Sequence, residues 1–344
     1  MYMVEKLKLI FKTGFLLLLL LLLSGTAVAW DGSGLENDPY LIENPNDFSF
    51  LYQMCEDGDT ADVYFRLMTN LDLSSFGSWS PIGTAVKPFQ GIFDGNGYVI
   101  YNLELDAPTV NNIGFFGFTD NAAIFDLNFE NATIIGNNSV GVLAGKINQT
   151  NVREIGIYKS SVMAVNDNAG GVVGFACGDS FNPWEIHTSY VLNSEIYANN
   201  SAGGIIGRFE GASLDNNHLM NSSVTAENNN AGGIVGNIDG TASGWLGSIR
   251  SYSVTGCTII ANCNAGGVAG LGYAVLIGES SYPYFLMVKS TDITALSDNA
   301  GGIVGNCSDS CIQGSIVGIL VSNCNITSTN NAGGAAGIIS SSHI

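Results

Sequence analysis

The chain has 344 residues, of which 46% are hydrophobic and 12% are charged. A chain of this composition can bury a core, which excludes intrinsic disorder. The formal net charge of −19 is unfavourable for contact with nucleic acid or anionic lipid, and it suits binding of cations or neutral sugars.

The N-terminal segment predicts export. Lysines precede an unbroken leucine run (16–23), and a small-residue stretch follows and ends at Ala29. This order is typical of a signal peptide, so residues 1–29 are predicted to be removed. An uncleaved anchor is the alternative, although the apolar run is short for a membrane span. The mature chain is expected to begin at Trp30, to be secreted or at the cell surface, and to have no membrane span.

Residues 30–125 are predicted to form an N-terminal cap and the first turns of the fold. The segment Asn44-Pro45-Asn46-Asp47 comes before Phe48, Leu51 and Cys55. This pattern is typical of a short, capped amphipathic helix. Such a helix would cover the open edge of the first turn of strands.

Residues 126–344 contain a repeat of about 32 residues. The motif Ala-Gly-Gly-x-x-Gly occurs six times, with its first glycine at 170, 203, 232, 266, 301 and 333, after a degenerate copy at 137–147. Between the glycines lie alternating segments rich in β-branched residues, which predict strands. Three short strands per repeat, each repeat too small to bury its own core, predict an all-β parallel β-helix.

The motif also predicts how successive turns stack. Equivalent residues of stacked turns lie about 4.8 Å apart. Asparagine tolerates left-handed backbone angles, and its amide can bond to the copies above and below. We therefore expect a turn ladder of the asparagines that directly precede Ala-Gly-Gly: Asn168, Asn264, Asn299 and Asn331. The glycines allow a tight corner, whereas a phosphate-binding loop would need a following Lys-Ser/Thr and a helix.

These repeats resemble the GLUG-motif repeats of bacterial and archaeal secreted surface proteins. The resemblance extends to a lead-in formed by "WDGSGLENDPYLIENPNDFSFLYQM" (30–54), "YFRLMTNLDLSSF" (64–76), "WSPIGT" (79–84) and "PFQGIFDGNGYVIYNLEL" (88–105). It covers nearly all of the mature chain. The resemblance implies a pectin-lyase-like, right-handed β-helix on a secreted or cell-surface protein, often adhesive, and it implies no catalytic residue.

The residues predict a protein that is not an enzyme. Polysaccharide cleavage needs an acid and a base close together, or calcium carboxylates beside a basic residue. The chain has no Asp-Asp pair, and Arg153 and Arg250, which share a similar phase, lie three turns apart. The predicted function is adhesion, envelope structure or binding of a surface glycan or protein partner. A polysaccharide lyase or glycosidase of the β-helix type is the alternative.

Two groups of loop residues are candidate binding sites. Acidic residues that follow the motif would suit calcium if they stack, although a solvated edge is the simpler interpretation: Asp179, Glu210, Asp239 and Asp309. No other cofactor is predicted. Trp184 and Trp245 lie in long insertions and would offer rings to a glycan or partner. Alternatively, these rings close their own loops onto the solenoid.

The remaining expectations concern modification and the chain's C-terminal edge. Seven Asn-x-Ser/Thr sequons are candidate glycan acceptors, at Asn131, Asn137, Asn148, Asn199, Asn221, Asn306 and Asn325. Cys307 and Cys311 are close enough for a loop disulfide, and a reduced pair is equally consistent with the spacing. No cap is evident near the C-terminus, which would allow end-to-end association through an exposed edge.

Overall fold

The protein is a parallel β-solenoid of about eight turns. The computed structural model describes residues 30–77, 79–178, 184–211, 213–240, 247–277, 286–308 and 319–340. The predicted signal peptide, Trp245, Asp179, Asp309 and Cys311 lie outside these ranges. The predicted parallel β-helix is confirmed, because every pairing between the strands is parallel and connects one turn to the next.

Three sheets run the length of the solenoid, and they are lettered in the order in which one turn visits them. In the described part of the chain, sheet A consists of Tyr40–Ile42, Tyr64–Leu67, Leu71–Asp72, Ile92–Asp94, Val99–Tyr101, Ala123–Glu130, Asn151–Tyr158, Glu185–Leu192, Ser213–Met220, Gly247–Thr255, Val275–Ile277, Leu286–Lys289 and Ile319–Ser322. Sheet B consists of Glu104–Ala107, Thr133–Gly141, Ser161–Gly170, Glu195–Ala198, Ser201–Gly203, Ser223–Ala226, Asn230–Gly232, Thr258–Ala261, Asn264–Gly266, Asp292–Ala295, Asn299–Gly301, Asn325–Ser328 and Asn331–Gly333. Sheet C consists of Phe116–Asp120, Ala144–Asn148, Val173–Cys177, Ile206–Glu210, Val235–Asp239, Ala269–Tyr273, Val304–Ser308 and Ala336–Ser340.

Strict register between turns builds the core. In sheet A, one inward position is occupied in successive turns by Ile124, Val152, Ile186, Leu214 and Ile249. All of these side chains are buried. Because side chains alternate between the two faces of a strand, the intervening residues face outward and are free to carry polar groups. The outer face of sheet A is therefore where regular spacing can bring chemistry together without disturbing the core.

The predicted N-terminal helix is present at Asp47–Asp57 and buries Phe48, Leu51 and Cys55. The Phe48 ring packs at 5.2 Å from the rings of both Trp79 and Phe115, centroid to centroid, so the helix covers the first turns of the core. Asn46 makes no capping bond with its side chain. Instead, a carboxylate oxygen of Asp47 accepts bonds from the backbone N–H groups just before the helix, of Glu43 and Asn44.

Where another described turn packs on a motif copy, each of its three glycines stands where a side chain does not fit. At the first glycine, a Cβ on Gly266 would lie 1.8 Å from the carbonyl oxygen of Ala269, within the same corner. At the second, a Cβ on Gly267 would lie 2.1 Å from the carbonyl oxygen of Gly302 in the next turn. At the third, a Cβ on Gly270 would lie 2.8 Å from backbone atoms of the preceding turn. The motif thus sets both the corner and the spacing of the turns.

An asparagine ladder runs along this corner, but over a different set of residues from the one predicted. Each amide nitrogen donates to the amide oxygen of the preceding turn at 2.8 Å, through Asn230, Asn264, Asn299 and Asn331. Asn168 does not join this ladder, because Ser201 occupies the next turn. Its φ of 60° is left-handed, and its amide oxygen has no hydrogen-bond partner among the described residues.

We expect Asn264→Ala to lower the free energy of unfolding by about 1–3 kcal/mol, because it removes two amide bonds and leaves the partly buried neighbours incompletely paired. Urea denaturation followed by circular dichroism measures the change. Asn331→Ala is the matched control, since this residue makes one described ladder bond and is exposed. Equal losses for the two variants would show that the ladder bonds do not determine the stability of the corner.

The last described turn exposes residues whose equivalents are buried elsewhere. Ile339 is 45% exposed, whereas Ile238, at the same position of sheet C, is fully buried. The difference follows from the absence of a described turn that packs on it. End-to-end association through this edge stays a prediction.

The cysteines behave mainly as apolar residues. Cys55 and Cys257 are buried and free, and Cys177, Cys263 and Cys324 are free and partly buried. Burial raises the pKa of the Cys55 thiol to about 11, so this thiol is protonated at neutral pH. Cys307 is disulfide-bonded, and Cys311, its candidate partner from the sequence, lies outside the described residues.

Candidate functional site

A cleft of about 420 Å³ on the outer face of sheet A is the best candidate for a binding site. It spans three consecutive turns, at the edge where each sheet A strand follows the loop from sheet C. Its walls are Ala123, Phe125, Asn151, Val152, Arg153, Glu185 and His187. A second cleft, of about 230 Å³, lies beside the N-terminal helix and is lined mainly by aromatic and hydroxyl side chains.

One outward column of sheet A supplies the charged groups. Strand register places these residues one above another in successive turns: Arg66, Asp94, Phe125, Arg153, His187, Asp215 and Arg250. Arg66 and Asp94 form an ion pair at 2.8 Å. The guanidinium carbon of Arg153 lies 4.6 Å from the ring centroid of Phe125, a cation–π contact that holds the guanidinium over the cleft. Arg153 and Arg250 do lie three turns apart, as predicted.

The side chain of His187 belongs to a network of polar side chains. Its Nδ1 lies 2.6 Å from the hydroxyl of Thr188, which accepts a bond from the Asn216 amide at 3.1 Å. The amide oxygen of Asn216 lies 3.1 Å from Nε2 of His218, and the His218 ring stacks on Tyr190 at 4.8 Å. Burial lowers the pKa of His218, which keeps this imidazole neutral at neutral pH. Two of the three histidines of the chain thus belong to one network.

Acidic residues flank the cleft. Asp126 and Glu154 follow Phe125 and Arg153, and both have left-handed backbone angles in adjacent turns. The pKa of Asp126 is raised, first by partial burial and then by the nearby charges of Glu154 and Asp94, while Arg153 opposes the shift. Sequence reasoning missed this carboxylate row. These two carboxylates make the rim of the cleft electronegative.

The sequence contains a signal from which the column can be found. Counting back from the first glycine of each motif copy, 16 or 17 residues lead to Phe125, Arg153, His187, Asp215 and Arg250. The sheet A strand and the sheet B strand have nearly constant lengths in these turns. The same offset therefore leads to the same structural position in every turn. Three further cleft residues, Ala123, Asn151 and Glu185, precede the column by two residues on the same face.

Trp184 does not offer a ring to a ligand, which corrects the prediction that it forms part of a binding patch. Its side chain is 1% exposed and packs at 5.8 Å from the ring of Phe209. Cβ atoms on Gly178 and Gly211 would lie within 2.1 Å of the indole, so these glycines make room for it. The indole closes its own loop onto the solenoid because burying so large an apolar ring is favourable. Trp245, the other member of the predicted patch, lies outside the described residues.

Two of the four residues of the predicted calcium stripe, Glu210 and Asp239, lie in the described part of the chain. Cys177 pairs with Glu210, and Phe209 pairs with Ile238, which places Glu210 and Asp239 at one position. Cys177, Tyr273 and Ser308 occupy the same position in other turns, and Asp179 and Asp309 lie outside the described residues. Glu210 is ion-paired with Arg208. Among the described residues, no group of three or more His, Cys, Asp or Glu side chains could hold a metal ion.

The predicted sequons occupy different environments. Asn131, Asn221 and Asn325 are exposed, and the first two share a left-handed corner between sheets A and B. The amide nitrogens of Asn131, Asn137 and Asn148 donate to neighbouring side chains, and Asn199 accepts a bond from Asn228. Asn306 lies on the outer face of sheet C, opposite Leu271 and Ile338. Glycan attachment stays a prediction at all seven.

The fold and the cleft define a repetitive parallel β-solenoid with a small polar site on one face. No family model matches the chain, so the resemblance to GLUG-motif repeats depends on the residues quoted for it. The structure of "a putative immunoglobulin A1 protease" from Bacteroides ovatus superposes with a TM-score of 0.52, covering 90% of this chain and 86% of that chain at 18% identity. This likeness supports the fold alone.

Two curated proteins are similar in sequence. Halomucin of Haloquadratum walsbyi is 31% identical over 161 residues, which are 44% of this chain and 2% of Halomucin. The "Putative Gly-rich membrane protein" of Evansella cellulosilytica is 24% identical over 186 residues, which are 52% of this chain and 20% of that protein. These relatives point to a surface or extracellular protein. Within the described residues, no helix is long and apolar enough to cross a membrane.

Proposed function

We propose that this protein is a non-enzymatic, secreted or cell-surface β-solenoid that binds a glycan or a protein partner in the sheet A cleft. The arrangement of Phe125, Arg153 and His187 in three consecutive turns carries the proposal. Among the described residues, Arg153 has no ion-pair partner, and the cation–π contact fixes its direction. A rigid solenoid that presents a fixed guanidinium suits ligand recognition, because binding then costs little side-chain conformational entropy.

A carbohydrate-active enzyme is the second candidate, and the carboxylate row favours it. Asp126 and Glu154 lie in adjacent turns, about 4.8 Å apart along the solenoid, and Asp126 has a raised pKa. Two neighbouring carboxyl groups, one of them with a raised pKa, resemble the carboxyl pair that glycoside hydrolysis uses. We rank it second because Asp126 is only slightly buried. Its pKa shift also follows from the stacking of like charges in a solenoid, with no catalytic role.

The two candidates are separated by measuring binding and cleavage on the same glycans. We expect the purified chain to bind at least one glycan of an array without releasing products, and Arg153→Ala to weaken that binding at least about 10-fold, since a bond to a charged group is lost. Arg250→Ala, three turns away in the same column, is the matched control. Cleavage that Asp126→Asn abolishes, with binding retained, would establish the enzyme instead.

A further inference from the structure

The cleft holds several polar groups that the fold itself does not use. The amide oxygen of Asn151 accepts a bond from the backbone N–H of Glu185 at 3.1 Å, which leaves its amide nitrogen as a donor. The carboxylate of Glu185 is exposed and accepts no hydrogen bond from a described residue. The guanidinium of Arg153 contacts the face of Phe125, so its N–H groups remain along its edge.

The network around His187 occupies one of its two ring nitrogens. The Thr188 hydroxyl already accepts a bond from the Asn216 amide, so its own proton is available for Nδ1 of His187. Nε2 is the ring nitrogen that this network leaves without a described partner, so it is available to bond to a ligand hydroxyl. The cleft thus offers donors on Asn151 and Arg153, an acceptor on Glu185, and Nε2 of His187, which can bond to a sugar hydroxyl in either tautomer.

The charges of the cleft cancel, and the surroundings are acidic. Arg153 contributes one positive charge and Glu185 one negative charge. Outside the lining residues, Asp126 and Glu154 add negative charge near Arg153, and the whole chain carries −19. At physiological ionic strength, charges beyond about 8 Å are screened. These adjacent carboxylates therefore dominate the electrostatic potential at the entrance of the cleft. An anionic ligand would meet net repulsion at this cleft.

We propose that the cleft takes an uncharged saccharide, whose neighbouring hydroxyls bond to Glu185, Arg153, Asn151 and His187. Sugar hydroxyls are both donors and acceptors, which matches a cleft that offers both. The volume of about 420 Å³ lies within the range of small-ligand sites. The inference rests on the proposed function, which it deepens by excluding uronic and other acidic sugars as ligands. It assigns Glu185 a dual role, because the same carboxylate that accepts a hydroxyl also repels a ligand's carboxylate.

The test compares neutral and acidic sugars that differ only in the group at C6 of each residue. Isothermal titration would use tetraoses of glucose, galactose and mannose, each beside the tetraose of the corresponding uronic acid. We expect at least one neutral tetraose to bind about 10-fold or more tightly than its uronic counterpart. Glu185→Gln keeps the shape of the side chain and should weaken the neutral sugar about 10-fold while it strengthens the uronic one.

Glu195→Gln is the matched control, since this exposed glutamate lies on sheet B, away from the cleft, and should change neither affinity. Tighter binding of the uronic tetraose by the unaltered chain would overturn the ligand class and leave the proposed function standing. An unchanged response to Glu185→Gln in a chain that binds neutral sugar would place the site elsewhere. Failure of every glycan and partner to bind would instead remove the proposed function.

Discussion

Gly267→Ala is expected to destabilise the protein by more than about 3 kcal/mol, a large effect for the addition of a single methyl group. The added Cβ would lie 2.1 Å from the carbonyl oxygen of Gly302 and 2.8 Å from a methyl carbon of Val288. Neither contact can be relieved by rotating a flexible side chain. The turns would have to separate locally, which breaks the backbone bond between Gly267 and Gly301 that joins them. Urea denaturation of the variant measures the loss.

Gly334→Ala provides the matched control for this prediction. Gly334 is the second glycine of the last motif copy, and a Cβ there would meet no heavy atom within 4 Å. We expect its free energy of unfolding to stay within about 0.5 kcal/mol of the unaltered chain. Should both alanines cost the same, the second glycine would be required by the corner itself and not by the approach of the next turn.

Trp184→Ala is expected to cost about 3–5 kcal/mol, as large-to-small changes of buried aromatic residues do. The indole is 1% exposed, and it fills the space that Gly178 and Gly211 leave open. Its removal leaves a cavity lined by backbone and by Phe209, which cannot collapse because strand register holds the walls. The melting temperature by circular dichroism reports this loss.

Trp184→Phe separates packing from polarity at the same site. The indole nitrogen is buried and has no hydrogen-bond partner in the described part of the chain, so its loss carries no bond penalty. We expect the phenylalanine variant to retain most of the stability. A melting temperature unchanged in Trp184→Ala would contradict the buried position and would return this ring to the surface, where it could stack on a glycan.

The cleft illustrates how a repeat produces a site without a motif. Each turn contributes one or two outward residues, and parallel register places Phe125, Arg153 and His187 side by side in successive turns although 28 or more residues separate them along the chain. Nothing in any single repeat distinguishes these side chains from solvated ones. Only their stacking turns an isolated arginine into an oriented donor with an acceptor, Glu185, beside it.

The sequence by itself determined the strands, the period, the capping helix and the tight corner. These features are local: a two-residue alternation, a helix over Phe48, Leu51 and Cys55, and glycines that admit close backbone approach. The ladder was predictable for the same reason, although Asn230 was missed and Asn168 wrongly included. Each of these features depends on residues within one repeat or on the repetition of the same residue in successive repeats.

Tertiary structure alone decided which residues meet across the turns. The loops from sheet C back to sheet A differ in length, so position in sequence after the motif does not fix position in space. Glu210 and Asp239 share a position because each follows the third glycine of its motif by three residues, whereas Trp184, farther along in a longer loop, turns inward. Register, which is imposed by hydrogen bonds between turns and by burial of one face, is a property of the assembled solenoid, and it is what creates the cleft.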